Sequence, residues 1–295
     1  MSALASERRR ALGEPLKSDR LRSLLEAVVR GETIDGGRDA LVLFDNELDR
    51  TSGLPGPRPN LLLLKALGTA LFGHGSVAKG VTQDLRASKK LAHLYVGTFA
   101  LAAAAYPPGE KARLHELLNA ADDPDLDRRL PVLAALEDVL AARGDEALTT
   151  LIPLADGYLH MATLIEASVT PRALNAMKSG STLLLLFDTG WGLISAAPRS
   201  AERSQGYRSL AEALPTQLAK ASRRFVEVAD WVAKKTEITE IPQARAILDE
   251  AIRTLRPQVG DADASRLRAS FNAAGKPPRD PSRIVQGTRK RSRGR

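Results

Sequence analysis

Apolar residues recur along most of this chain at intervals of three and four, the period that lays them on one side of an α-helix. Over residues 18–30, Leu21, Leu24, Leu25, Val28 and Val29 share a face, with Ser18 and Asp19 as N-cap candidates and Gly31 as a stop. The Asp35-Gly36-Gly37 turn introduces a second helix over 38–50. Residues 51–60, TSGLPGPRPN, hold three prolines and two glycines and read as a linker or ordered loop, because proline restricts its own φ and the residue before it. Asn60 then caps a Leu-rich helix that stops at Gly73-His74-Gly75.

The same reading predicts a long helix over 76–106, ended by Pro107-Pro108-Gly109, and another over 110–121. Leu126, Leu130, Leu133, Leu136 and Leu140 mark a helix closing at Arg143-Gly144. Residues 146–168 are mostly apolar, with Pro153 near their start, and a short helix follows Thr170-Pro171. Leu210, Leu214, Leu218, Ala221, Phe225, Val228 and Val232 keep one stripe going, which predicts a single helix over 209–235. Two more helices are expected over 243–256 and 263–273.

These elements specify an all-α protein, an irregular multi-helix bundle, with a helical-repeat-like array as the other arrangement left open; no fixed repeat period stands out. Three segments follow: N-terminal helices and linker over 1–59, a helical core over 60–273, and a disordered basic tail over 274–295. Composition agrees, since only 4% of residues are aromatic, fewer than barrels and base-stacking modules lean on. The absence of cysteine excludes disulfides, thiolate nucleophiles and Cys-ligated metals. No apolar stretch resembles a signal-peptide core or reaches the length of a bilayer span. A cytoplasmic protein without stable membrane insertion is expected.

Several short motifs invite a chemical reading. Phe187-Asp188-Thr189-Gly190 resembles the loop that carries the catalytic carboxylate of aspartic peptidases. That chemistry needs two carboxylates sharing a proton, and the sequence has no second Asp-Thr-Gly or Asp-Ser-Gly. In a continuous helix Asp188 would share a stripe with Leu184, Trp191 and Ser195 and need a partner; in a broken helix it would be an N-cap. Asp156 and His160, four apart, suit a carboxylate orienting an imidazole.

Asp123, Asp125 and Asp127 have the first spacings of a calcium loop, but Arg128 and Ala134 stand where that loop needs Gly and an acid. Asp123 as N-cap with Pro124 opening the helix accounts for them better. The segment 73–80, GHGSVAKG, falls short of a phosphate loop at Ala78 and Gly80. The histidines, 74, 93, 115 and 160, show no metal-ligand spacing. No cofactor is indicated.

Charge changes the picture most. Of the net +8, residues 276–295 carry +7, which leaves the other 275 residues near neutral. Arg283, Arg289, Lys290, Arg291, Arg293 and Arg295 are the candidate contacts to phosphates or another polyanion. The leading expectation is therefore a non-enzymatic helical interaction or scaffold protein, with a protein partner for the body and nucleic acid or another polyanion for the tail. One rival is an enzyme with a helical site built on Asp156, His160 or Asp188. The other is a membrane-active effector exposing the apolar faces of 91–106 and 183–197 on a trigger.

Overall fold

A computed structural model describes residues 16–34, 38–107, 110–238 and 241–274. Within them the protein is an all-α bundle, with one two-residue antiparallel ladder, β1 (Thr33–Ile34) against β2 (Arg38–Asp39). The Asp35-Gly36-Gly37 turn and the residues beyond 274 lie outside the described residues.

Local signals set the first helices. In α1 (Asp19–Arg30), Ser18 Oγ accepts the Leu21 N–H at 3.2 Å, and Gly31 closes the helix with N–H bonds back to its last turn. Asp39 caps α2 (Ala40–Thr51), and Asn60 caps α3 (Leu61–Gly73) by accepting from Leu63 N–H at 3.3 Å. Each cap satisfies one of the orphan donors at a helix start.

The predicted helix over 76–106 is broken. It comprises a 3-10 turn (Gly75–Ala78), α4 (Lys79–Ala87) and α5 (Leu91–Ala105), separated at Ser88-Lys89-Lys90. Helix α5 is the centre of the N-terminal half: from Ala92 to Ala105 every residue but Ala104 is buried. It packs on α3, α4, α6 (Lys111–Asn119) and α7 (Leu126–Arg143). Helices α3 and α5 touch backbone to backbone, because a Cβ on Gly68 would stand 2.6 Å from Phe99 Cβ and 2.8 Å from the Val96 carbonyl.

Helix α7 starts two residues later than expected. Asp125, not Asp123, is its N-cap and accepts from Asp127 N–H at 3.0 Å, while Asp123 accepts from Asp125 N–H and pairs with Arg128 Nε at 2.8 Å. The apolar stretch 146–168 is likewise divided, into α8 (Asp145–Leu151), a 3-10 turn (Ile152–Leu154) carrying Pro153, and α9 (Tyr158–Ser168). After α10 (Pro171–Ala176) comes α11 (Ser181–Ser195).

The stripe over 209–235 also covers two helices, α12 (Gln205–Ser222) and α13 (Glu227–Ile238). The chain turns at 223–226 while Phe225, Val228 and Val232 all stay buried, so the pattern ran on through a corner. Helix α14 (Pro242–Ala273) is two helical halves meeting at Gly260, whose φ of 82° interrupts it, as the two separate predictions implied. Helices α7, α9, α12 and α14 pack in succession, and one apolar core extends from Leu16 to Leu267. Among the described residues no helix is long and apolar enough to cross a membrane.

A buried ion-pair junction pins this arrangement. Asp138 of α7 is only 5% exposed and receives Lys65 of α3 at 2.9 Å and Arg172 of α10 at 2.8 Å. Burial drives the nearby Tyr106 phenol far above its ordinary range, so it stays neutral.

Candidate functional site

Asp188 lies inside α11, which runs unbroken through Asp-Thr-Gly. Its side chain, 49% exposed, accepts from Trp231 Nε1 at 2.9 Å and from Lys235 Nζ at 2.6 Å, both on α13. Lys235 also sits over the Trp231 ring, and Trp191 meets that ring edge-on at 6.0 Å. The carboxylate thus has the cation partner that a helical Asp on an apolar element needs. Gly190 has a packing reason, since a Cβ there would stand 3.0 Å from Ile165 and 3.2 Å from Met161 on α9.

Asp156 and His160 do form a pair, Oδ1 to Nδ1 at 3.1 Å. Asp156 precedes α9 instead of sharing its helical face, and it is 84% exposed on its side chain. The other ring nitrogen of His160, Nε2, is buried without a hydrogen-bond partner. Proton transfer to an outside molecule is obstructed there, because the nitrogen not held by Asp156 does not meet solvent. The partners of Asp188 are therefore a different set from those of Asp156 and His160.

A constellation not read from the sequence sits at the α4–α5 break. Ser88 Oγ is 3.0 Å from His93 Nδ1, and His93 Nε2 is 2.5 Å from Asp45 Oδ1 on α2. Asp45 Oδ2 binds Lys90 Nζ at 2.6 Å, and that hydrogen bond, against the opposing effect of desolvation, raises the Lys90 ammonium above its ordinary range. With the imidazole proton on the Asp45 side, Nδ1 is left to accept the Ser88 hydroxyl proton. That is the bonding order of nucleophile, base and orienting carboxylate. A cavity of ≈ 510 Å³ reaches Ser88 and His93, with Asp39 and Asp84 on its wall. Ser88 Oγ also accepts the Lys90 N–H at 3.1 Å, so the same contacts hold the break in place. No single local pattern signals this group, because Asp45 is far from the other two in the chain.

Among the described residues no cluster of His, Asp and Glu has the make-up of a metal site. The candidate polyanion contacts Arg283, Arg289, Lys290, Arg291, Arg293 and Arg295 lie outside the described residues. The chain matches no protein-family model, no curated protein and no solved structure.

Proposed function

We propose that the protein is a non-enzymatic helical interaction protein whose basic C-terminal segment contacts nucleic acid or another polyanion. The observation that carries this reading is charge segregation, with +7 of the net +8 in residues 276–295. Within the helical body, cations are largely matched by acids, as where Asp249 takes both Arg253 and Arg268 and Asp230 takes Arg266. The body's share of the reading is contact with another protein, for which exposed apolar side chains such as Leu62, Val77 and Val226 are available. Phosphate contacts by the tail release counterions, so the affinity is salt-dependent and largely sequence-independent.

The test is binding of the full-length protein to duplex DNA across a salt series. Neutralising Arg289, Lys290, Arg291, Arg293 and Arg295 with glutamine should flatten the slope of log affinity against log salt by roughly 4. Equal slopes for both proteins would defeat the proposal.

A second reading, an enzyme, is favoured by one observation, the Ser88–His93–Asp45 bonding order beside a cavity. The chemistry would be acyl transfer. The Ser88 hydroxyl loses its proton to His93 Nδ1 as its oxygen attacks an ester carbonyl, and the leaving alcohol takes that proton. Water then hydrolyses the acyl-serine. A fluorophosphonate probe that labels the wild type at Ser88, and fails on His93→Gln, supports this reading; absence of labelling removes it.

A further inference from the structure

A cavity of ≈ 680 Å³ opens between α7, α9 and α12. Its walls carry two polar side chains that the fold has buried without satisfying. Arg129 of α7 is 6% exposed, and among the described residues its side chain has neither a hydrogen bond nor a close ion pair; its Nε is fully enclosed. Gln217 of α12 is 7% exposed, and its Oε1 is enclosed without a donor. A desolvated guanidinium that meets a carboxylate, Glu166, only at longer range is costly to bury, and an orphaned amide oxygen adds to that cost. Two such groups beside one cavity leave its wall short of polar partners, and a molecule that brings an anion to the Arg129 guanidinium relieves the larger cost.

The other charged residues on the wall narrow the class. Arg208 adds positive charge, while Glu166 and Glu212 supply carboxylates. Burial raises the Glu166 carboxyl above its ordinary range, with Arg129 and Lys220 pulling against it, so this wall gains from a cation as the Arg129 side gains from an anion. Both long helices that line the cavity have interior prolines, Pro131 in α7 and Pro215 in α12, each lacking the N–H that would bond back one turn.

We infer that this cavity binds a small molecule bearing both a carboxylate and an amine, the chemistry of an amino acid or short peptide. The carboxylate takes the planar fork of Arg129, for which guanidinium geometry is suited. The amine faces Glu166 and Glu212, beside the Gln217 amide. This goes beyond the proposed polyanion contact and uses none of the tail.

The test measures thermal unfolding and equilibrium dialysis of the full chain with each common L-amino acid and with glycylglycine, using sodium acetate and methylamine as single-charge controls. At least one amphoteric probe should bind saturably and raise the melting temperature by about 4 °C at a hundred times its Kd. Arg129→Met and Gln217→Leu should each weaken that probe roughly tenfold or more, while Arg253→Met, which lines a different face of the protein, leaves it unchanged. Circular dichroism establishes that each variant is folded. Failure of every amphoteric probe to bind, equal response to acetate alone, or full binding by both cavity variants would each overturn the inference.

Discussion

Helix α7 buries an aspartate and an arginine, and the fold treats them in opposite ways. Asp138 sits where three helices meet and has a cation from each of the other two, Lys65 and Arg172. Arg129, as deeply buried, has no side-chain hydrogen bond or close ion pair among the described residues, only Glu166 at longer range, and faces a cavity. A charge paired within the chain has its desolvation offset on folding and serves to fix helix positions. A charge left unpaired keeps that cost until something else arrives. The same helix therefore separates a structural use of buried charge from one that calls for a partner.

The comparison is most exposed to Asp138→Ala, which strands Lys65, whose ion pair among the described residues is with Asp138 alone. Urea unfolding should show a loss of about 3–5 kcal/mol; a loss under about 1 kcal/mol would mean the junction holds nothing. Arg129→Met should do the reverse in ligand-free protein, gaining about 1 kcal/mol or more. Destabilisation there would show that the guanidinium belongs to the fold.

A smaller contrast is legible in pH. Burial raises the Glu166 carboxyl, so its contribution is complete below the unfolded pKa and is lost as pH climbs through the folded value. Glu116 is the opposite case: burial opposes it, but hydrogen bonds from Arg86 and Arg113 hold it below the carboxylate range. Its contribution is present above the unfolded pKa and lost as pH falls. Unfolding of Glu166→Gln should thus gain on the wild type from pH 4 to 7, whereas Glu116→Gln should fall behind over the same range. Least of all, Asp188→Asn should cost under about 1 kcal/mol, since the half-exposed pair with Lys235 is screened and the indole keeps an acceptor.

What could be read from the chain alone follows from how local each determinant is. The α1 cap at Ser18, the stop at Gly31 and the Asp156–His160 contact each span four residues or fewer beyond the helix they serve, and all were visible. The corner at 223–226 was hidden because Phe225 and Val228 are buried on both sides of it, leaving the apolar rhythm intact. The break at Ser88-Lys89-Lys90 is held by Asp45 and Arg128, partners contributed by other helices. Asp188 announced that it needed a partner but could not name Trp231 or Lys235. Arg129 gave no signal, for an arginine early in an amphipathic helix reads as surface until packing encloses it.

The near-complete enclosure of α5 bears on how the protein is made. Its covering helices lie on both sides of it in the chain, α3 and α4 before, α6 and α7 after. At ordinary elongation rates roughly 2 to 8 s separate synthesis of Tyr106 from that of Arg143. For that interval the emerging polypeptide carries a mostly apolar helix with half its shelter still unwritten, and it is the moment at which a chaperone has most to hold.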